Sequence, residues 1–489
     1  LAVFDLMVGV SNDAVNFLSS AVGAKAFSFK KILLIAALGI FVGASFSSGM
    51  MDIARHGIFQ PQHFYFSEIM AIFIGVMIVD VILLDIFNSF GLPTSTTISR
   101  VFELLGGTFA LALYKIYMVP NTPDFGDLIN TEKAISMIFA IFLSVAIAFS
   151  FGSVVQFFVR LLFTFDFRKK MKYFIGVFGG LSFSSIIYFI LFKGLKGSVF
   201  ASSEWFQYLL NHSSVVLLIL FVAFALLSQL FYFLHFNVFK GIVALGTFSL
   251  ALAFAGNDLV NFIGVPLAAL SSYQDFAANG NGAPDAFLMK SLMESAAGQW
   301  WILSLAGVIM MISLMTSKKA HNVIKTSVSL SAQGTAEQAF GTNPVARAIV
   351  RWSHSTGELF TRYLPRRWRA WMELRRDDSK LTLEDESAAF DLVRASVNLM
   401  LASLLIAAGT AFKLPLSTTY VTFMVAMGTS LADKAWGRDT AVYRISGVLS
   451  VIGGWFFTAF AAFMSSFIVC FIVYKGGFVV SFILFGLVV

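Results

Sequence analysis

The chain has very little cysteine, histidine or charge, and each shortage excludes a class of function. Its single cysteine, Cys470, lies in an apolar run, so neither a disulfide within the chain nor a cysteine metal cluster can form. The six histidines are scattered without the spacing of metal ligands. The sequence contains no Walker, Gly-x-Ser-x-Gly or His-Glu-x-x-His motif. The sequence therefore lacks the motifs that ATP-driven transport and membrane proteolysis require. We do not expect the protein to be an enzyme or to bind a cofactor.

Apolar residues dominate the composition. Hydrophobic residues make up 58% of the 489 residues, aromatic residues 16% and charged residues 12%, with a mean hydropathy of +0.82. A soluble globular protein has roughly 45–50% apolar and 25% charged residues. The composition therefore predicts a multi-pass protein of the lipid bilayer. The formal charge of +7 does not indicate a nucleic-acid partner, because an excess of Lys and Arg is typical of cytoplasmic loops.

Apolar segments of roughly 20 residues, the length of a membrane-spanning helix, recur along the chain. They lie near 1–22, 31–51, 66–90, 134–163, 173–194, 213–239, 241–269, 287–316, 387–412 and 441–473. Shorter apolar segments follow Pro93 and Pro415, and another lies at 476–489. No basic segment with a cleavage site precedes the first span, so we do not expect a cleaved signal peptide.

Two pairs of neighbouring segments are predicted to form helical hairpins within the membrane. Only "GLPT" separates the segment 66–90 from the apolar residues after it, which leaves no room for a loop outside the bilayer. We therefore expect a hairpin near 66–115 that turns at Pro93, because proline cannot continue the first helix. The same argument predicts a second hairpin near 387–432 that turns at Pro415.

The distribution of basic residues predicts the topology, since Lys and Arg accumulate on the cytoplasmic side. On this basis the chain contains two similar halves that cross the membrane in opposite directions. The parts are a first repeat at 1–163, two linking helices at 164–240, a second repeat at 241–316 and 387–489, and a cytoplasmic insertion at 317–386. We predict an all-α polytopic membrane protein with inverted-topology repeats, which is typical of secondary transporters with a midplane site.

The insertion at 317–386 interrupts the apolar pattern with many Lys and Arg residues. Its Arg/Trp-rich part around 347–376 is interpreted in two ways. It is either an amphipathic helix at the lipid surface or a helical spacer with a solvated charged face.

One polar motif occurs in both halves, as "GVSNDAVNF" at 9–17 and "AGNDLVNFIG" at 255–264. On a helix, its first and last Asn share a face and the Asp lies beside them. An intramembrane carboxylate usually faces a cavity, an ion or a partner. Gly9 and Gly256 are expected to let each helix break and expose carbonyls, which suits Na⁺, whereas the carboxylates could instead carry H⁺. The alternative is that these amides only bridge neighbouring helices.

A second motif also occurs twice, as "LPTSTT" at 92–97 and "LPLSTT" at 414–419. Each Ser-Thr-Thr lies where the returning half-helix begins, in N-cap and first-turn positions. Free backbone N–H groups, hydroxyls and the positive end of the helix dipole make such a start suitable for an anion. Two of them facing each other predict an anion site that needs no arginine.

These motifs resemble the inorganic phosphate transporter (PiT) family, whose halves each carry a Gly-x-Asn-Asp-type helix and a Pro-x-Ser-Thr-Thr hairpin. The matching residues are Gly9, Asn12, Asp13, Asn16, Pro93, Ser95, Thr96 and Thr97, then Gly256, Asn257, Asp258, Asn261, Pro415, Ser417, Thr418 and Thr419. "WFFTAF" at 455–460 resembles a Trp-x-x-Thr segment near the family's C-terminal end. Many members have histidine where this chain has Ile98 and Tyr420.

The resemblance implies import of inorganic phosphate by symport with Na⁺ or H⁺, with alternating access around a midplane site. The implied phosphate-binding residues are Ser95, Thr96, Thr97, Ser417, Thr418, Thr419, Asn16 and Asn261. The implied cation-coupling residues, which are also the candidate Na⁺ ligands, are Asn12, Asp13, Asn257 and Asp258. Pro93 and Pro415 form the hairpin turns.

Other functions stay open from the sequence alone. Within transport, the rival is a symporter for sulfate or another oxyanion. Outside transport, the rivals are a membrane enzyme acting on a phosphorylated lipid and a phosphate sensor. The absence of disulfide potential and of long external domains favours a bacterial inner membrane. The sequence is compatible with a homo-oligomer.

Further intramembrane charges invite a functional interpretation. Arg100 and Glu103 share the spacing of a local ion pair, and Asp391 and Arg394 repeat that spacing. We expect local pairs at both places. Asp80 and Asp85, by contrast, are each candidates to face the pathway.

Overall fold

The computed structural model describes residues 1–46, 55, 57–120, 123–191, 203–294, 299–333, 344–348, 351, 365–411, 416–435 and 438–488. The regular secondary structure of these residues is helical, with two isolated β-bridges. The predicted all-α class is therefore confirmed.

The helices follow the chain in this order. They are α1 (Ala2–Gly23), α2 (Phe29–Phe46), α3 (Phe66–Phe90), α4 (Thr96–Met118), α5 (Phe125–Leu128), α6 (Thr131–Phe163), α7 (Met171–Phe189), α8 (Glu204–Asn211), α9 (Ser213–Phe233), α10 (Val238–Asn257), α11 (Leu259–Asn279), α12 (Trp300–Thr316), α13 (Lys318–Ser331), α14 (Arg366–Arg375), α15 (Leu392–Ala411), α16 (Thr418–Ala432) and α17 (Arg438–Val488).

Eight helical segments of the described chain are long and apolar enough to cross a membrane, which confirms the multi-pass class. They are α3, α4, α6, α7, α9, α10 with α11, α15 and α17. The pair α12 and α13 is bent by 70° and adds a ninth candidate if it counts as one span. Helix α1 is more polar, because its buried surface includes Asp5, Asn12, Asp13 and Asn16.

Several helix boundaries differ from the sequence prediction. The span predicted at 287–316 begins only at Trp300. The Phe287 carbonyl instead accepts a 2.9 Å hydrogen bond from the Phe66 backbone N–H, next to the start of α3. The apolar segment at 476–489 is not separate, since α17 runs on to Val488 with one non-helical residue, Gly477.

The two Asn-Asp helices also differ from each other. Helix α1 runs unbroken through its motif, so the break expected near Gly9 does not occur. Gly9 instead allows a close approach, because a Cβ there would lie 2.1 Å from the Phe262 ring of α11. In the second half, α10 ends and α11 begins on either side of Asp258.

The returning arm of each predicted hairpin packs against a long helix of the other predicted repeat. Helix α16 lies along α6, and α4 lies along α17. Glycines permit both contacts: a Cβ on Gly428 would lie 2.3 Å from the Phe149 carbonyl oxygen, and one on Gly106 would lie 2.2 Å from that of Phe463. Each hairpin is thereby held by the opposite half of the chain.

Helix α13 lies within the segment that we predicted as an insertion. Its buried face includes Val323, Ile324 and Leu330, and the helix packs against α1 and α3. The described structure thus ties the start of the insertion to the helical bundle. The cytoplasmic location of 317–386 stays a prediction.

The local ion pair expected on α4 is not the main contact of Arg100. Its Nη2 atom lies 2.7 Å from Asp5 on α1 and 2.6 Å from Asp80 on α3, whereas Glu103 is 3.7 Å from the guanidinium. Buried charges retain partners because desolvation is costly, and these partners come from separate helices. Arg100 therefore joins both arms of the first hairpin to α1. Asp85 instead forms a half-exposed pair with Lys319 of α13.

The second expected local pair does not form between its two side chains, in contrast to Arg100 and Glu103, which do form a 3.7 Å pair. Asp391 pairs with Arg160 of α6 at 2.7 Å, and Arg394 reaches Asp433 at 3.0 Å. Arg160 also contacts Asp433, which follows the last residue of α16. Asp391 meets Arg394 only through the Arg394 backbone N–H, at 3.0 Å. This cluster joins α6, α15 and the C-terminal end of α16.

We predict that Gly428→Ala and Gly106→Ala each destabilise the protein, by roughly 1–3 kcal/mol as in other overpacked contacts. The added methyl group would push α16 away from α6, or α4 away from α17. The measurement is the midpoint of thermal unfolding in detergent. Gly453→Ala on α17 is the matched control, because a Cβ there meets no atom within 4 Å and alanine is the better helix former. Equal midpoints for all three variants would contradict this account of the packing.

Candidate functional site

Helix α1 carries the first Asn-Asp motif into the interior of the bundle. All residues from Gly9 to Leu18 are buried, and Asp13 lies near the middle of the helix. Asp258, at the junction of α10 and α11, is also buried. The two carboxylates have neighbours in common, because the Asn16 amide lies 3.5 Å from Asp13 and 3.4 Å from the hydroxyl of Thr418, which donates to Asp258. The structure therefore brings together two acidic groups that are far apart in the sequence.

Each hairpin directs the start of its returning helix at these carboxylates. Ser95 is the N-cap of α4, and its hydroxyl accepts a 3.3 Å hydrogen bond from the Ile98 N–H. Ser417 caps α16 in the same way through the Tyr420 N–H at 3.2 Å. The serines therefore fix the helix starts, as the sequence predicted, and the threonine hydroxyls after them are left to reach the site.

Each carboxylate accepts hydrogen bonds from threonine hydroxyls of both hairpins. Asp13 accepts hydrogen bonds from Thr96 at 2.8 Å and from Thr419 at 3.1 Å. Asp258 accepts them from Thr418 at 2.7 Å and from Thr97 at 3.3 Å. Every one of these threonines is buried. The two helix starts and the two Asn-Asp motifs consequently form one cluster rather than two.

The last asparagine of each motif crosses to the opposite hairpin. The Asn16 amide donates to the Thr419 hydroxyl at 3.0 Å, and the Asn261 amide donates to the Thr97 hydroxyl at 2.9 Å. Asn16 also accepts a 3.3 Å hydrogen bond from Thr422, one turn into α16. Thr422 was not among the predicted residues, although its helical spacing from Thr418 was visible in the sequence.

Asn12 has a different role from Asp13 and Asn16. Its side chain accepts a 3.1 Å hydrogen bond from the Thr94 N–H and donates to Asn88 at 2.7 Å. Asn88 in turn donates to the Val8 carbonyl of α1 at 2.8 Å. Asn12 therefore holds the turn of the first hairpin against α1 and makes no described contact with Asp13. The sequence analysis missed Asn88 because it lies in an apolar arm without a repeated motif.

The C-terminal Trp-x-x-Thr segment also holds this turn. Trp455 donates from its indole N–H to the Pro93 carbonyl at 2.9 Å, and Thr458 meets Thr94 through their hydroxyls at 3.0 Å. The Trp455 ring stacks on Tyr420 of α16 with centroids 3.7 Å apart. Tyr420, one of the departures from the family pattern, thus packs against the helix that supports the other hairpin.

Two of the predicted residues cannot be placed. The side chain of Asn257 and the whole of Pro415 lie outside the described residues. The remaining predicted residues lie in the cluster or at the hairpin turn beside it.

The donor set favours an alkali cation or a proton over a transition metal. In the described part of the chain, no group of three or more His, Cys, Asp and Glu side chains is arranged to hold a metal ion. The oxygen atoms that meet at Asp13 and Asp258 are carboxylate and hydroxyl oxygens, which are hard donors. A bound cation or a proton would also stabilise two neighbouring carboxylates in a buried site.

The chain is similar to proteins that are named as phosphate transporters or permeases. A family model described as the phosphate transporter family matches residues 9–352. A protein of Thermococcus kodakarensis that carries the name of a phosphate permease is 28% identical over 285 residues, which cover 56% of this chain and 66% of that relative. The chain thus spans just under two thirds of the relative's length.

A solved structure titled as a sodium-dependent phosphate transporter has the same fold. It matches with a TM-score of 0.62 and 18% identity, over 96% of this chain and 97% of the other. The family match covers more than half of the sequence and agrees with the expectation of a transporter rather than an enzyme. The chain belongs to the phosphate transporter family.

Proposed function

We propose that this protein imports inorganic phosphate by symport with Na⁺, through alternating access around the Asp13 and Asp258 cluster. The proposal rests on the hydrogen bonds between the two halves. Each carboxylate accepts one hydrogen bond from a threonine hydroxyl of each hairpin. A site made equally by two halves that move relative to each other can open to either side of the membrane. A bacterial inner membrane is our proposed location.

The starts of α4 and α16 are the proposed phosphate site. Helix N-termini offer unpaired backbone N–H groups and favour negative charge. The hydroxyls of Thr96, Thr97, Thr418 and Thr419 now donate to the carboxylates and would turn to phosphate when it binds. The amides of Asn16 and Asn261 lie within the same cluster and supply further donors.

The carboxylates of Asp13 and Asp258 are the proposed cation ligands. A phosphate anion beside two buried carboxylates would be strongly repelled unless cations entered with it. This coupling makes the substrate and the cation bind together, which is the basis of symport. We favour Na⁺ because the donors are hard oxygens and because the solved structure with this fold is titled sodium-dependent.

The test is uptake of radiolabelled phosphate into proteoliposomes under an imposed Na⁺ gradient and, separately, an imposed H⁺ gradient. We expect accumulation that is driven by the Na⁺ gradient and is unaffected by excess sulfate. Uptake driven only by H⁺ would assign the proton as coupling ion. Transport of sulfate in place of phosphate, or no transport in protein shown to be folded, would contradict the proposal.

We predict that Asp13→Asn and Asp258→Asn each abolish gradient-driven uptake, since either change removes one of the two negative charges that require a cation. Both variants keep the shape of the side chain and an oxygen acceptor for one threonine hydroxyl. The matched control is Asp85→Asn, which alters a half-exposed pair with Lys319 away from the cluster. Uptake by Asp13→Asn or Asp258→Asn at the rate of the control would overturn the assignment.

The crossed geometry also predicts similar effects from the two hairpins. Thr97→Ala and Thr418→Ala should each raise the KM for phosphate by about tenfold or more, because hydrogen bonds to charged groups contribute roughly 1.5–3 kcal/mol. Thr418→Ser keeps the hydroxyl and should restore most of the affinity. The measurement is the phosphate dependence of initial uptake rates. A defect confined to one hairpin would contradict a site shared between the halves.

A further inference from the structure

A groove of about 350 Å³ lies between α6, Arg376 and the C-terminal end of α16, and none of its lining residues belongs to the Asp13 and Asp258 cluster. It is lined by Ser153, Val154, Phe157, Phe158, Arg376, Leu431 and Ala432. Val154 is 54% exposed and Phe158 is 60% exposed, on a helix apolar enough to span the membrane. A membrane lipid chain is therefore the natural neighbour of the apolar part of this groove.

Arg376 forms the polar end of the groove. Its guanidinium donates to the Ala432 carbonyl and lies 4.8 Å from the centre of the Phe157 ring. Its Nε atom is buried without a hydrogen-bond partner among the described residues, and no described carboxylate forms an ion pair with Arg376. Partial burial lowers the pKa of Arg376, and the attraction of Asp433 and Asp378 offsets this only in part because Arg160 repels the guanidinium. The guanidinium at this end of the groove therefore has room for a further anionic partner.

The residues just before Arg376 are suited to the membrane surface. Arg375 donates to the Leu161 carbonyl of α6 at 2.6 Å, which holds α14 at the same end of that helix. Trp368, Trp371 and Leu374 of α14 are exposed. Exposed Trp beside Arg on a short amphipathic helix is typical of the boundary between headgroups and acyl chains.

We propose that this groove binds one anionic phospholipid, with its phosphate on Arg376 and an acyl chain along Val154 and Phe158. A guanidinium forms strong, directional hydrogen bonds with phosphate, and the buried Nε–H would supply one of them. The headgroup would lie beside the carbonyl that ends α16, the helix whose first turn carries Thr418 and Thr419. The insertion would thereby connect the lipid surface to the second hairpin.

Native mass spectrometry of the purified full chain tests this assignment with phosphatidylglycerol and phosphatidylcholine as probes. We expect one phosphatidylglycerol molecule to be retained in preference to phosphatidylcholine. Arg376→Gln should lower its occupancy about tenfold, the effect of losing a hydrogen bond to a charged group. Arg366→Gln removes the same charge from the exposed start of α14 and should leave the occupancy unchanged.

A second variant separates binding in the groove from general attraction to basic residues. Val154→Trp fills the groove and keeps every arginine, so it should also lose the bound lipid. Retention of lipid by Val154→Trp, or equal losses in Arg376→Gln and Arg366→Gln, would overturn the proposal. Displacement of the lipid by millimolar inorganic phosphate would show that Arg376 holds a free anion instead. None of these measurements depends on transport activity.

Discussion

The burial of two carboxylates in one hydroxyl-lined cluster is the constraint on which the rest of this structure depends. Asp13 lies on the first helix and Asp258 lies between α10 and α11 near the middle of the sequence, yet they share one hydroxyl-lined cluster. Buried acidic groups are stable only when hydrogen bonds or cations compensate their charge. The threonines of both hairpins supply the hydrogen bonds, and we propose that the transported cation supplies the charge. Under this account the same pair of groups holds the halves together and requires an ion for transport.

Holding two helix starts at this cluster requires support from outside it. Glycine contacts place α16 directly on α6 and α4 directly on α17, so each hairpin rests on the other half of the chain. Asn12, Asn88 and Trp455 fix the turn of the first hairpin. Beyond these contacts, Arg100 and Arg160 tie the hairpins to neighbouring helices through carboxylates. The proposed lipid site would add a link from the membrane surface to the end of α16.

The repeated motifs identified residues that the structure brings together, because buried polar side chains in an apolar bundle need one another as hydrogen-bond partners. Ser95 and Ser417 cap their helices as expected, and four threonines meet the two aspartates. What the sequence could not predict depends on tertiary contacts. The i, i+3 spacing suggested that Arg100 pairs with Glu103 and Asp391 with Arg394, but partners on other helices lie closer. Similarly, Asn12 resembles Asn16 in the motif and yet faces the hairpin turn. The inverted orientation of the halves stays a prediction.

The most direct test of the central claim is calorimetric titration of phosphate into the purified protein, in Na⁺ and in choline solutions and in buffers of different ionisation enthalpy. The account predicts that phosphate binds only with a cation. Affinity should therefore fall in choline, or the titration should show proton uptake if H⁺ takes the place of Na⁺. Equal affinity in both solutions without proton uptake would contradict it, because the anion would then bind beside two uncompensated carboxylates.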